Sequence, residues 1–368
     1  MKQVLASLFL AMLICAPVAV LATGDSRLTL IIDQDLFYPS YNEDRNYTMG
    51  VAAHWTGMSI EQSGITDPLK GLDSVLFCES ILDAFSGVAH GVTVASTTFT
   101  PENLANPEPI YNDRPYASLL SVATLVRRTD SIINPTKSLT TELTVGLLGL
   151  RISEDVQTWI HSSLRAANNG RGRPDPEGWP HQISDGGEPT MMYRVAYDTR
   201  CFHLKAADNH DWVQLIPGGE LAFGYYTYVK AGGMLRVGYI NRNYVSSGTL
   251  SDVVVPMKIG ANKSAERKNP RSARDRWFEP FELFVFGKAS GYAMAYNVML
   301  QGQFRDSDVT VDSEDIERLV SETQVGGMAR MGNFGLQYSV YGRSSEFDSD
   351  LSRSHYWGSI ALSYSMRF

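Results

Sequence analysis

The stretch "SEDVQTWIH", residues 153–161, sets a glutamine and a histidine four positions apart. On a helix that spacing puts Gln157 and His161 on one face, with Cβ atoms about 5–6 Å apart. An imidazole that titrates near neutrality can take a proton from water when its other nitrogen is held. Ser153 stands where it can cap such a helix, and Glu154 and Asp155 fall in the first turn, near the positive end of the dipole. Trp159 and Ile160 are left to pack the helix down. The pattern fits a catalytic base, but taken alone it favours a polar pair packed beneath a loop.

Two other stretches set Asp-Arg just ahead of a strand: "DQDLFYPSYNEDRNYTMG", residues 33–50, and "YNDRPYASLL", residues 111–120. Each reads as a rim ion pair that orders a loop. In the first, Asp33, Asp35 and Thr48 are expected on the inward side of two neighbouring strands. Carboxylates are hard oxygen ligands suited to Ca²⁺, and they are also ordinary lining for a solvated lumen.

The elements that must position these residues read as strands. "GSIALSYSMRF" sets Ile360, Leu362, Tyr364, Met366 and Phe368 against Ser359, Ala361, Ser363, Ser365 and Arg367. "TMGVAAHW" opposes Met49, Val51, Ala53 and Trp55 to Thr48, Gly50, Ala52 and His54, and "ELAFGYYTYV" opposes Leu221, Phe223, Tyr225 and Val229 to Glu220, Ala222, Gly224 and Tyr226. In a soluble sandwich the large apolar face is inside; in an outer-membrane barrel it faces lipid. Small Gly, Ala and Ser on the other face, aromatics near strand ends and a terminal Phe368 favour the barrel. That ending resembles the terminal signal of bacterial outer-membrane proteins, which makes the barrel-assembly machinery a partner during insertion.

Strands are expected near 28–37, 46–56, 89–100, 115–128, 139–149, 190–203, 212–228, 232–241, 281–298, 317–331, 333–342 and 356–368. Over 212–241 and 281–298 one long strand or a hairpin fits equally well. The fold class is therefore all-β: a twelve-stranded antiparallel transmembrane β-barrel, with a short helix in a long loop. Long connections at 57–88, 150–189 and 242–280 exceed hairpin turns and invite a functional reading.

Residues 1–22 read as an export signal: Lys2, then an apolar run from Val4 to Val20, then Val20-Leu21-Ala22 at the cleavage point. Residues 23–368 form the barrel. The net charge of -8 gives no global basis for nucleic-acid binding. Beyond the leader, Cys78 and Cys201 can pair in an oxidising compartment or stay as two thiols.

The motifs, taken in order, resemble the outer-membrane lipid A 3'-O-deacylases and their wider relatives. The carriers are "QDLF" (34–37), "DRNYTMG" (44–50), "DRPYA" (113–117), "GLLG" (146–149), "QTWIH" (157–161) and "GWPHQI" (178–183). The resemblance covers about the first half of the exported chain. It implies a barrel in the bacterial outer membrane whose site lies between the wall and a helix from an extracellular loop. By that resemblance His161 is the base, Gln157 its neighbour, and Thr48 and Asp35 site residues, with Asp35 in the Ca²⁺ region. It further implies Ca²⁺-dependent hydrolysis of the 3'-linked ester of lipid A, with lipopolysaccharide and outer-membrane lipid as partners. Gln34 stands where the family has asparagine, no basic pair precedes Arg114, and Ala167 occupies an acidic position. "KSAERKNPRSARDR", 263–276, is a substitute phosphate-binding patch or a solvated loop, and a strict strand count puts it on the periplasmic side. The alternatives are a phospholipase with the same base, a non-catalytic structural or receptor barrel, and a periplasmic β-sandwich.

Overall fold

The structure, a computed structural model, describes residues 26–39, 46–132, 134–167, 173–206, 210–241, 260–261 and 281–366. The expected leader, Asp44, Arg45, Phe368 and the basic stretch at 263–276 lie outside these residues.

Twelve antiparallel strands close on themselves: β1 (Ser26–Gln34), β2 (Asn46–Gly57), β3 (Gly87–Thr100), β4 (Ala117–Thr129), β5 (Lys137–Leu148), β6 (Glu188–Thr199), β7 (His210–Gly224), β8 (Tyr226–Asn241), β9 (Phe281–Asn297), β10 (Leu319–Met331), β11 (Phe334–Arg343) and β12 (His355–Met366). Each pairs with its neighbours in sequence, and β1 with β12 closes the ring from Ser26↔Met366 to Gln34↔Gly358. Closure leaves no open edge in the ring, as a strand-built membrane span requires. Short strands Phe202–Lys205 and Gly260–Ala261 extend β7 and β3. Among the described residues the α-helices are α1 (Met58–Ser63), α2 (Asp67–Leu76), α3 (Glu79–Leu82), α4 (Ile152–Ala167) and α5 (Val298–Gln301).

The alternation turns Leu362, Leu221, Phe223, Val145 and Val285 outward and exposed, while Ile31, Ala52, Ala95 and Ala361 meet in the lumen. Two departures are informative. The 212–241 stretch is a hairpin, but its turn falls at Gly224–Tyr225 rather than near residue 230. Gly224 has φ +138°, and a Cβ there would sit 2.1 Å from the Met191 carbonyl oxygen, so the reversal is built on a residue without one. As a result Tyr225 turns into the lumen cavity instead of outward. The 281–298 stretch is a single long strand.

The second departure is at Thr48. The β2–β3 register shifts between Tyr47 and Met49, a β-bulge. Tyr47 takes the inward place opposite Phe99 and donates to Asp33 at 2.8 Å, so Thr48 leaves the inward face. Its hydroxyl meets that of Thr100 at 2.5 Å, and Thr100 alternates with lumen-lining Phe99. Thr48 is therefore on the outer face.

The lumen is filled by charge pairs. Arg194 bridges Glu142 (3.0 Å) and Glu220 (3.1 Å). Arg343 joins Glu322 (2.5 Å) to Glu346 (3.5 Å), and Arg114 meets Glu346 at 2.6 Å. The start of β1, the end of β12 and the two-residue Gly332–Asn333 turn lie at one end, which is the periplasmic one; β5 ends and β6 begins at the other.

Candidate active site

Helix α4 starts at Ile152, so Ser153 is a buried first-turn residue rather than the cap. Ser153, Gln157 and His161 form one buried stripe, with Gln157 3 % and His161 5 % exposed. Trp159, on the opposite face, is 45 % exposed and does not pack the helix down. The chain reaches α4 through Gly149, at φ +65°, where a Cβ would collide with the Ser184 carbonyl oxygen at 2.0 Å. Gly149 N–H donates to Ser118 (2.9 Å) and its carbonyl accepts from Gly186 (3.0 Å). This close approach is the physical content of the "GLLG" stretch, and it ties both ends of the loop to β4.

Two hydrogen bonds orient the polar pair. His161 Nδ1 lies 2.7 Å from the Pro174 carbonyl oxygen. A carbonyl only accepts, so Nδ1 carries the hydrogen and Nε2 the lone pair. The Trp179 indole donates to Gln157 Oε1 at 3.0 Å. An indole N–H only donates, which fixes the amide and leaves Gln157 Nε2 as a buried N–H₂ with no partner among the described residues. Trp179 packs against Tyr116 at 4.8 Å between ring centres, and Tyr116 donates to the Leu104 carbonyl at 3.1 Å. Trp179 is thus the support that motif matching at 178–183 left without a role.

Asp35 sits in a 3-10 turn after β1, not on the strand, and is buried. Arg173 lies 3.8 Å from its carboxylate. Since Arg173 precedes Pro174, one short segment touches both Asp35 and His161. Arg165 pins that segment, donating to the Arg173 carbonyl (2.5 Å) and pairing with Asp175 (2.7 Å). Residues 173–182 cover the helix stripe. Thr48 stands on the outer wall against Thr100, and Thr98 Oγ, on the same face, is buried without a partner among the described residues. The 173–175 segment thus links Asp35 to His161, Thr48 stands on the outer wall, and Asp33 belongs to the lumen.

The donor set among the described residues does not fit Ca²⁺. That ion takes about 6–8 oxygen ligands, commonly several carboxylates. Among the described residues Asp35 faces a guanidinium, Asp175 is paired with Arg165, and no cluster of three His, Cys, Asp or Glu able to hold a metal occurs.

In the second Asp-Arg the two side chains engage different groups. Asp113 accepts from the Glu102 and Arg114 backbone N–H groups, both at 2.7 Å. Arg114 is buried, pairs with Glu346 and lies 4.3 Å over Phe99, so it is a lumen latch rather than a phosphate ligand. Cys78 and Cys201 are both free and exposed.

A closed antiparallel barrel, apolar outside, with a helix whose polar face is held by residues 173–182 near the extracellular end, defines an outer-membrane barrel. The family model described as "Outer membrane protein LpxR" matches residues 4–366, and the chain belongs to that family; it resides in the bacterial outer membrane. Among solved structures it is similar to LpxR from Salmonella typhimurium, with a TM-score of 0.65 and 15% identity over 92% of this chain and 99% of that one. The beta domain of the Bordetella autotransporter BrkA covers 93% of this chain at a TM-score of 0.37 and 8% identity, too distant to carry argument. No curated protein matches the chain.

Proposed function

We propose that this barrel hydrolyses an ester-linked acyl chain of lipid A, the 3'-O-linked chain by likeness to its family. Family membership supports the substrate class. The observation that carries the chemistry is the pair of orienting bonds, Pro174 to His161 and Trp179 to Gln157.

His161 Nε2 takes a proton from water, and the hydroxide formed attacks the ester carbonyl carbon. Charge develops on the carbonyl oxygen, where Gln157 Nε2–H donates, and Arg173 adds positive charge in the same corner. The tetrahedral intermediate collapses with cleavage of the C–O bond to the sugar. The imidazolium returns its proton to the departing sugar oxygen, and the acid product leaves. No serine nucleophile and no metal step enters.

Mass spectrometry of lipid A tests this, in cells making the wild type, His161→Ala or neither, with heat-modifiable migration verifying insertion. Loss of one acyl chain with the wild type alone is expected. An unchanged lipid A profile from inserted wild type overturns the reading, and turnover of phospholipid instead identifies a phospholipase. Purified protein in detergent should keep its activity with a chelator, and abolition by the chelator would restore Ca²⁺ to the mechanism.

A further inference from the structure

The connection at 57–86 runs along the outside of the barrel at its periplasmic end. Asp73 of α2 is fully buried; it pairs with Arg128 (2.7 Å) and accepts from Thr141 and Tyr193 (both 2.8 Å). All three partners point outward, since Arg127, Thr140 and Glu142, and Met192 and Arg194 line the lumen cavities beside them. Thr66 likewise meets outward His90 at 2.9 Å, and Ile60 packs on Trp55 and Val92.

The wall under these helices is thus unlike the rest of the belt. Higher up, the outward positions are exposed and apolar, with Val145 at 52 %. Lower down they carry Arg128, His90 and Thr141, all buried by the helices. A hydrocarbon band about 25 Å tall, crossed at about 45° with 3.3 Å per residue, takes about ten residues. Counted down β4 from Leu120, the first outward apolar residue, the band ends near Arg128. Bare, this wall would set a guanidinium at the lipid boundary. The helices cover it and present apolar residues in its place: Val75 is 81 % exposed, Leu76 55 %, and Met58, Ile65 and Ile81 are exposed too.

We propose that α1–α3, residues 58–82, form a collar seated in the headgroup region of the periplasmic phospholipid leaflet, inserting Met58, Ile65, Val75, Leu76 and Ile81. The argument for lipid as the occupant is continuity: the collar sits flush with the barrel's own lipid-facing belt, and its outer face prolongs that belt past the polar wall. Basic residues play little part in its attachment. Lys70 is the segment's one cation, and it pairs with Asp67 at 2.6 Å. Attachment is therefore by apolar insertion and does not require anionic lipid.

The test uses the full chain with Cys78→Ser and Cys201→Ser, carrying a nitroxide on Val75→Cys. Reconstitution is into phosphatidylethanolamine vesicles with a minority of phosphatidylglycerol. Reference labels go on Val145→Cys in the belt and Lys137→Cys, exposed at the periplasmic end of β5. Heat-modifiable migration certifies each barrel. The Val75 label is expected to relax strongly with oxygen, as at Val145, and several-fold less than Lys137 with a water-soluble nickel chelate. Relaxation by nickel equal to that at Lys137 overturns the proposal, as the collar then lies in water. Protection from both relaxants also overturns it, because a protein surface then covers the collar.

Discussion

At the scale of the residue, the site turns on which atom of each side chain is committed. Pro174 commits His161 Nδ1, and Trp179 commits Gln157 Oε1. Trp179→Phe keeps the aromatic packing on Tyr116 and removes the indole donor, so the Gln157 amide is released to turn. The expected result is about a tenfold fall in kcat with KM little changed, because orientation rather than binding is lost. Gln157→Ala removes the donor itself, and a kcat loss on the order of 10²–10³ is expected. Equal losses for both variants would make the tryptophan more than a support. Arg173→Met tests the cation beside Asp35: hydrolysis is expected to slow, while chelator still has no effect. The candidate base and its neighbour were legible in the sequence because i,i+4 spacing fixes a shared helix face. Arg173 was not, since nothing local ties a loop residue to Asp35.

At the scale of the element, alternation located strands well, because one face of each meets lipid and the other a crowded lumen. It failed where a single residue breaks the period. The bulge at Thr48 moves that hydroxyl from the lumen to the outer wall, and the reversal at Gly224 sends Tyr225 inward. Both are one-residue events that a two-residue period cannot register. Helix α2 was likewise hidden, as its partners lie on three different strands. Its energetic centre is Asp73 against Arg128. Asp73→Asn leaves Arg128 buried without its counter-charge, and removing one partner of a buried pair costs about 3–5 kcal/mol. The variant's barrel is expected to convert to the unfolded gel form at a lower temperature than wild type. An unchanged transition would mean that Arg128 reaches water or headgroups without help from the helix.

At the scale of the whole molecule, the barrel is held shut by pairs that no local pattern reveals. Arg114 and Glu346 stand 232 positions apart in the chain, yet their side chains meet at 2.6 Å. Glu346 lies in the loop between β11 and β12. Burial alone would raise its pKa, but Arg114, Arg343 and His355 together outweigh that and hold it at about 2, against the ordinary 4.5. A carboxylate whose pKa is depressed by folding stabilises the fold fully above its unfolded value and ceases to do so as pH falls through the folded one. The window is thus about pH 4.5 down to about 2, and the contribution is on the order of 3 kcal/mol. Wild type is expected to lose heat resistance steeply across that window. Glu346→Gln leaves Arg114 facing a neutral amide, so its transition should already be low at neutral pH and change less on acidification. Parallel acid profiles for the two proteins would assign the acid loss to other carboxylates.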